Sequence, residues 1–405
     1  MINTTETTMG ANPKLEDLQN FLNENFDFRY NVLTDMPECK PKNTTTYRMI
    51  DKRMMNTLSM EAMMNGVDCK DADVKRFLFS ERIPTHHPFK DYLSDLPEWD
   101  GTDRVTMLAA RVSGNGMWLN GFHIWMLGMV AQWLGYPARC ANAVAPILVS
   151  TEQGMCKSTF CSMLLPEELR TYYTDKFTIN ATSGCEQKLS TFGLINMDEF
   201  NMYTERMMTI LKNLMQMKKV NYRKCFKAYY SDLPRIASFI GTSNEKSLLT
   251  DETGSRRFLC IEVEKPIDCS PIDYTQLYAQ LKFELESGKR YWLSKEEEEE
   301  IQLHNRAFYR HSPEEEAFFK VFALPKDGEP CAQLMSVDIH RILLKRFPVL
   351  MRGVKPTKIG RIMTKVGATR IHTDKGNVYE LTLLKDKNQL KKSEMGDDNQ
   401  AVMTA

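Results

Sequence analysis

Short apolar runs that alternate with helical segments dominate the middle of the chain, from Asn142 to about Val263. The runs are AVAPILVS, FGLINMD, RIASFIGTS and FLCIEV. Short, continuously apolar runs are typical of strands buried on both faces, as in a mostly parallel sheet covered by helices. The segments between them, including KSTFCSMLLP and MMTILKNLMQM, have helical character. The pattern therefore predicts an α/β core.

Composition supports such a core and excludes several classes of protein. The 405 residues are 42% hydrophobic, which is enough for a large core and for two or three domains. The 53 basic and 53 acidic residues cancel, so the net charge gives no indication of an anionic partner. The ten cysteines show no C-x-x-C pair and no framework spacing. Their pattern argues against zinc sites and disulfides and favours a reduced, cytoplasmic location.

The sequence indicates neither export nor insertion into a membrane. Its first residues, MINTTETTMGANPKLEDLQ, lack the basic flank and apolar centre of a signal peptide. The stretch from Met117 to Gly135 has about the length of a bilayer span, but it contains Asn120, His123 and Gln132 and lacks charged flanks of membrane type. We interpret it as a buried helix, with a membrane span as the alternative.

Changes in pattern along the chain predict five segments. We expect a disordered tail at 1–20, a mainly helical region at 21–135, the α/β core with its C-terminal helices at 136–310, a small unit at 311–385 and a disordered tail at 386–405. The small unit combines three helical patterns with a strand, a D-K-G-N turn and a second strand. The glutamates at 296–300 are typical of a solvated helix face.

The first apolar run ends in VSTEQGMCKSTF, a turn that leads into Lys157, Ser158 and Thr159. In a phosphate-binding loop of the pattern G-x-x-x-x-G-K-[ST], backbone N–H groups and a lysine surround phosphate oxygens, and the next hydroxyl binds Mg²⁺. Lys157 and Ser158 suit these two roles, and Gly154 lies inside the loop.

Two positions depart from that pattern, because Thr151 and Cys156 stand where it has glycine. Glycine permits a positive φ and a close approach of the backbone to phosphate. Another residue held at positive φ costs about 1–3 kcal/mol. We therefore expect these departures to weaken the loop without abolishing it.

Polar residues also follow the later strands. GLINMDEF ends in Asp198 and Glu199, a pair that suits a Mg²⁺-associated carboxylate followed by a base that orients the attacking water. RIASFIGTSN ends in Asn244, whose amide could hold that water or contact a γ-phosphate. DETGSRRFLCIEV places Arg256 and Arg257 on a turn, where one could act as an arginine finger on a neighbouring subunit. The alternatives are an acidic pair at a helix start and two ordinary surface arginines.

A basic and aromatic segment, KKVNYRKCFKAYYSDLPR, precedes the RIASFIGTSN strand. In proteins that hold single-stranded DNA, basic groups track the phosphates and aromatic rings stack on the bases. The candidate DNA-binding residues are Lys218, Lys219, Arg223, Lys224 and Lys227, together with Arg235. The alternative is a solvated surface hairpin. A second basic cluster lies in the C-terminal unit and comprises Arg341, Lys345, Arg346, Arg352, Lys355, Lys358, Arg361, Lys365 and Arg370.

These motifs and their separations resemble the virulence-associated protein E family. The matching series is YLSDLPEWDGTDR, PILVSTEQGMCKSTF, EQKLSTFGLINMDEF and the segment from NYRKCF to TGSRRF, and it covers about residues 85 to 295. The family consists of P-loop ATPases of phages and mobile islands, similar to superfamily 3 helicases and to the helicase part of satellite-phage primase-helicases. Residues 315 to 385 resemble the small C-terminal domain of Bacteroidetes members, which we interpret as winged-helix-like.

The resemblance implies an AAA+-like P-loop NTPase core that takes ATP and Mg²⁺. It implies nucleotide and metal binding at Lys157 and Ser158, catalysis at Asp198 and Glu199, sensing at Asn244 and a finger at Arg256 or Arg257. The function that follows is a DNA-dependent ATPase or helicase of a phage or mobile element, which acts as a hexameric ring on single-stranded or forked DNA. The alternative is a nucleotide-gated DNA-binding or regulatory protein that scarcely hydrolyses ATP. The Asp-Glu pair and the arginines favour the first, and the altered loop favours the second.

Overall fold

The four apolar runs form a parallel sheet in the structure, a computed structural model. The structure describes residues 13–136, 141–179, 185–222, 231–249, 255–325, 330–374 and 376–384. The chain divides into two compact units, which we call unit 1 (Met1–Phe308) and unit 2 (Tyr309–Ala405).

The first part of unit 1 combines helices with a small sheet that the sequence analysis did not predict. Its elements are α1 (Pro13–Asn25), β1 (Phe26–Asn31), β2 (Met36–Pro41), β3 (Arg48–Met49), α2 (Lys52–Met64), α3 (Asp71–Leu78), β4 (Thr85–His86), α4 (Pro88–Ser94), α5 (Arg104–Ala110) and α6 (Gly116–Leu134). The strands lie in the order β3–β2–β1–β4, with β1 antiparallel to β2 and parallel to β4.

The predicted tail at 1–20 is wrong for residues 13–20, which lie in α1. Leu18 and Leu22, four residues apart on one face of this helix, are buried in a core with Phe26, Phe28 and residues of α2 and α3. Residues 1–12 lie outside the described residues. The segment is polar in composition, but the spacing of its two leucines lets it form a helix with one buried face.

The apolar stretch from 117 to 135 forms α6, a helix packed inside unit 1. Gly121 allows a close approach, because a Cβ there would lie 2.9 Å from Leu259 Cδ2. The helix ends at Gly135, which has a positive φ of 69°. None of the helices in the described ranges combines the length and apolar character needed to cross a bilayer. The fully buried aromatic residues of α6 are Trp118, Phe122, Trp125 and Trp133.

The second part of unit 1 is the α/β core, and it confirms the predicted parallel sheet. Its elements are β5 (Ala145–Val149), α7 (Lys157–Met163), β6 (Tyr173–Thr174), α8 (Cys185–Thr191), β7 (Leu194–Met197), α9 (Glu205–Gln216), β8 (Lys219–Tyr222), β9 (Ser231–Pro234), β10 (Ser238–Ser243), β11 (Phe258–Glu262), α10 (Tyr274–Glu286) and α11 (Lys295–His304). Five parallel strands lie in the order β11–β5–β10–β7–β6. Because the strands are parallel, the carboxyl ends of β5, β10 and β7 meet at one edge of the sheet.

Unit 2 has its own core of helices and antiparallel strands. Its elements are α12 (Pro313–Phe319), β12 (Phe322–Ala323), β13 (Ala332–Met335), α13 (Ser336–Arg346), α14 (Pro356–Lys365), β14 (Arg370–Thr373) and β15 (Gly376–Leu383). β15 pairs with β12, β13 and β14. The order of three helices followed by the β14–β15 hairpin is the predicted one, whereas β12 and β13 are additional. Residues 385–405 lie outside the described residues.

Arg235 corrects the sequence analysis, which grouped it with the DNA-contacting cations. Its side chain is buried between β9 and β10. The guanidinium donates to the carbonyls of Leu214 at the end of α9 (2.9 Å) and Asn142 (2.7 Å), and to Gln132 Oε1 (2.9 Å). Burial lowers the pKa of Arg235 to about 9. Arg235 therefore joins α6, α9 and the sheet from within and is unable to contact DNA.

We expect Arg235→Ala to lower the free energy of unfolding by about 3 kcal/mol or more, since it leaves several buried carbonyls without donors. Arg235→Lys should also destabilise, because one ammonium is unable to replace a planar guanidinium. Arg206→Ala, which removes an exposed arginine from α9, is the control. Denaturant unfolding of the three variants tests this, and equal stability of Arg235→Ala and Arg206→Ala would refute the buried-anchor role.

Candidate functional site

The buried side chain of Lys157 lies where three parallel strands end. The residue begins α7, directly after the loop that follows β5, and its side chain is largely buried. Its Nζ donates to Ser150 O (3.1 Å) and to Asn244 Oδ1 (3.1 Å). Ser150 follows β5 and Asn244 follows β10, the neighbouring strand. Two predicted site residues, Lys157 and Asn244, are thus in direct contact.

No carboxylate that the structure describes forms an ion pair with Lys157. Both of its acceptors are uncharged oxygens. Burial lowers the pKa of the Lys157 ammonium, and the negative charge of Asp198 opposes this effect. Buried charges in proteins are normally paired, because leaving water costs an ion several kcal/mol. A buried cation with one further N–H to donate therefore fits an anionic ligand.

A carboxylate and two hydroxyls lie together beside this lysine. Ser158 Oγ donates to Asp198 Oδ1 at 3.2 Å. Thr242 Oγ1 donates to the same oxygen from β10. Carboxylate and hydroxyl oxygens are ligands that Mg²⁺ accepts. Ser158 and Asp198 are exposed, so a metal ion and its waters have access to them.

Thr242 is a site residue that the sequence analysis missed. It is buried within a strand whose residues are all buried, and its hydroxyl holds the Asp198 carboxylate from the neighbouring strand. The signal was present, because Thr242 and Ser243 are polar residues at the carboxyl end of an apolar run. Thr159, by contrast, is exposed on α7, and its side chain forms no hydrogen bond within the described residues.

The loop before Lys157 is strained at one of the two predicted positions. Cys156 has φ 57° and ψ 22°, the left-handed conformation that glycine would adopt without a penalty. Gly154 also has a positive φ, of 76°. Thr151 does not, since the non-glycine residues with positive φ in the described ranges are Asp35, Cys156 and Glu199. The expected strain is therefore present at Cys156 and absent at Thr151.

Residues 267–270 of unit 1 pack against this loop. Ile267 N donates to Met155 O at 3.2 Å, and the Cys269 thiol lies 4.0 Å from Cys156 O. Arg111 donates to Ser270 O at 2.7 Å and so fixes the segment in turn. Partial burial raises the pKa of the Cys269 thiol. The unusual conformation of Cys156 is thus supported by neighbouring backbone.

Glu199 is held in a strained conformation next to Asp198. Its φ is 50° and its ψ is 47°, and it precedes a short 3₁₀ turn at Phe200–Met202. Its carboxylate is exposed and forms no hydrogen bond or ion pair among the described residues. Left-handed conformations at residues other than glycine are concentrated at functional sites. The turn directs a carboxylate towards solvent at the edge where Lys157 lies.

The structure does not bring Arg256 and Arg257 to Lys157. Both lie in a 3₁₀ turn at the amino end of β11, which pairs with β5 in parallel from Phe258↔Ala145 onwards. They are therefore at the opposite edge of the sheet, about 16 Å away along a five-residue strand. Arg256 forms an ion pair with Glu298 of α11 at 2.9 Å. Within one chain, neither arginine can reach the Lys157 edge.

The predicted DNA-binding segment is described only in part. Strands β8 and β9 form an antiparallel ribbon in which Lys219 pairs with Pro234 and Tyr222 with Ser231. Lys218 and Lys219 are exposed at its base. Arg223, Lys224 and Lys227 lie outside the described residues. The ribbon is compatible with both interpretations of the segment, a DNA-contacting loop and a surface hairpin.

Comparisons with known proteins identify the two parts of the chain. Residues 93–310 match the model of the virulence-associated protein E-like domain, and residues 311–381 match DUF3874, a domain of unknown function from B. Theta. No curated protein matches the chain. The apo structure of the NrS-1 C-terminal region is 14% identical, with a TM-score of 0.46 over 93% of this chain and 100% of that one. An A-form apo structure of that region is 13% identical, with a TM-score of 0.44 over 92% and 99%. Because the first match spans more than half of the 405 residues, the chain belongs to the virulence-associated protein E-like family.

Proposed function

We propose that the chain is a P-loop ATPase that works in the replication of a phage or mobile genetic element. The observation that carries the proposal is the buried ammonium of Lys157 at the carboxyl ends of β5 and β10, which has no ion-pair partner among the described residues. Open α/β sheets bind ligands at this edge of their strands. A nucleoside triphosphate would supply the ion-pair partner that no described carboxylate provides for Lys157. The resemblance of the flanking motifs to the family points to ATP.

Each polar residue of the site has a role in this proposal. Lys157 would contact the terminal phosphates of ATP, and Ser158 and Asp198 would hold Mg²⁺. The metal ion, when bound, would neutralise charge on the phosphate oxygens. Glu199 would orient the attacking water, and Asn244 would contact both Lys157 and the terminal phosphate. Thr242 would keep Asp198 in position through the hydrogen bond described above.

The location of the two arginines favours hydrolysis between subunits. An arginine at the amino end of β11 faces away from the ATP of its own chain, but it could reach the site of a neighbouring chain in a ring. We therefore propose an AAA+-like arrangement, a hexamer on single-stranded or forked DNA in the cytoplasm, with helicase activity. Lys218 and Lys219, with Arg223, Lys224 and Lys227, would contact that DNA, and unit 2 would be a winged-helix-like domain.

One observation favours the second candidate function, a nucleotide-gated DNA-binding or regulatory protein. Cys156 adopts the left-handed conformation without the freedom of glycine, and its side chain is exposed in the loop. Strain of about 1–3 kcal/mol at this position could slow the adjustments of the loop during turnover. A protein of this kind would bind ATP and hydrolyse it very slowly.

We expect Lys157→Ala to abolish ATP binding, because it removes the buried cation at the phosphate position. Glu199→Gln should retain ATP binding and stop hydrolysis, since it keeps the loop and removes the base. Lys75→Ala, which removes an exposed lysine from α3, is the control for loss of charge. Calorimetric ATP binding and phosphate release measure the two steps, and equal ATP affinity in wild type and Lys157→Ala would rule out the nucleotide site.

We expect Cys156→Gly to raise the rate of ATP hydrolysis, because glycine adopts a φ of 57° without the penalty of about 1 kcal/mol or more that cysteine pays. Cys156→Ala is the matched control, since it removes the thiol and keeps the strain. Steady-state ATPase assays of both variants separate the two effects. If Cys156→Gly is slower than wild type while Cys156→Ala is unchanged, the loop depends on a side chain at this position and the strain argument fails.

We expect Arg256→Ala or Arg257→Ala to reduce hydrolysis by about 10³-fold or more while ATP affinity stays nearly unchanged, as for arginine fingers. A mixture of that variant with Glu199→Gln should recover part of the activity, because some interfaces then pair an intact arginine with an intact base. Glu298→Ala is the matched control, since it breaks the Arg256 ion pair and keeps the arginine. Absence of rescue, together with a monomeric wild type in the presence of ATP and DNA, would favour the regulatory function.

A further inference from the structure

Unit 2 contains a groove whose walls carry an excess of positive charge. The groove has a volume of about 810 Å³ and lies between α12, the loop before α14 and α14 itself. Its charged lining residues are Arg352, Lys355, Lys358, Arg361, Lys365, Glu314 and Glu315. Five cations thus face two carboxylates.

Two of the five cations are already paired within unit 2. Lys358 Nζ lies 2.6 Å from Glu314 Oε1, and Lys365 Nζ lies 2.7 Å from Glu315 Oε1. Glu315 is buried, so its pair with Lys365 fastens α14 to α12. These two lysines therefore have a structural role, and they compensate the two acids of the groove.

The other three cations have no such partner. Arg352, Lys355 and Arg361 are exposed, and no described carboxylate of unit 2 lies within ion-pair distance of them. Three positive charges therefore remain for a ligand after the internal pairs are formed. The position of α14 is fixed, because Ile359 and Met363, which do not line the groove, are buried in the core of unit 2.

The spacing of the cations matches an extended anion better than a compact one. Lys355 at the N-cap of α14 and Arg361 within the helix line the same groove and are six residues apart. Over six residues a helix rises about 9 Å. Successive phosphates of one DNA strand are about 3.4 Å apart along the duplex axis, so these two cations span about three phosphates.

The remaining lining favours duplex DNA over a single strand. None of the described lining residues is aromatic, and the apolar ones are Leu350, Val354 and Ile362. Proteins that hold single strands without sequence preference stack the exposed bases on aromatic side chains. A groove of cations without aromatic rings is suited to the phosphates of a duplex, whose bases remain stacked on each other.

We propose that unit 2 binds the phosphate backbone of duplex DNA through this groove, with Arg352, Lys355 and Arg361 as the contacting residues. The residues of this site differ from those of the nucleotide site in unit 1 and from Lys218 and Lys219. Contacts to phosphates carry no sequence information, so the binding is independent of sequence and depends steeply on salt.

The test is a salt titration of duplex DNA binding by the full chain without nucleotide. Wild type is compared with the triple variant Arg352→Ala, Lys355→Ala, Arg361→Ala. Loss of three phosphate contacts should reduce the slope of log affinity against log salt by about 2.7, at about 0.9 per contact. Between about 50 and 200 mM salt, the affinity of wild type should therefore fall about 40-fold more than that of the variant.

A matched triple variant, Lys320→Ala, Arg341→Ala, Lys345→Ala, removes the same charge from exposed positions of unit 2 outside the groove. Its slope should stay close to that of wild type. An equal change in both triple variants, or a loss confined to single-stranded DNA, would overturn the proposal. The single variants Lys355→Gln and Arg361→Gln, each expected to lower the slope by about 1, replace the triple variant if it is unfolded.

Failure of this proposal is distinguishable from failure of the proposed function. The groove variant should retain ATP hydrolysis in the absence of DNA, because it changes nothing in unit 1. Lys157→Ala should retain duplex binding without nucleotide. Duplex binding that disappears in Lys157→Ala and persists in the groove variant would place the duplex site in unit 1 and overturn the assignment to unit 2.

Discussion

The buried ammonium of Lys157 is the constraint on which the arrangement of the α/β core depends. It lies after the loop that follows β5 and donates to Ser150 O and Asn244 Oδ1, and no described carboxylate forms an ion pair with it. An ion in this position is costly unless uncharged oxygens surround it and an anion approaches from the open side. The parallel pairing of β5 and β10 supplies these oxygens, because it brings the carboxyl ends of the two strands together.

The sheet separates two groups of residues that take part in the proposed reaction. Lys157, Ser158, Asp198 and Glu199 follow the carboxyl ends of β5 and β7, whereas the arginine pair at 256–257 precedes β11. Since β11 and β5 are parallel and adjacent, the length of the strands keeps these groups at opposite edges. A single chain is therefore unable to assemble base, lysine and arginine around one phosphate. In an assembly of several chains, the arginine of one chain would join the base and lysine of its neighbour at one phosphate.

Sequence patterns located the elements that are buried on both sides and missed those decided by distant contacts. β5, β7, β10 and β11 are short, mainly apolar runs, and all their residues except Glu262 are buried, so their burial follows from the local pattern. β1 and β2 are six-residue strands whose alternation is too short to distinguish from a loop. The role of Arg235 depends on carbonyls from three other segments, and that of Thr242 on a carboxylate of the neighbouring strand. No local pattern contains such contacts, so the sequence alone predicts a DNA contact for an arginine that is buried.

The run of glutamates at 296–300 also forms contacts that the local sequence does not predict, and one of these contacts holds Arg256. The sequence indicates only a solvated helix face, yet Glu297 pairs with Arg290 at 2.6 Å and Glu298 with Arg256 at 2.9 Å. A partly exposed ion pair contributes at most about 1 kcal/mol, whereas a phosphate accepts two parallel hydrogen bonds from one guanidinium. Under the proposed function, Glu298 would keep Arg256 ordered at the edge of the subunit. The phosphate of a nucleotide in the neighbouring subunit would then replace Glu298 as the partner of Arg256, at a small cost in free energy. The acidic residues of α11 would then hold Arg256 until it binds the nucleotide of a neighbouring chain, and they would also keep each chain soluble.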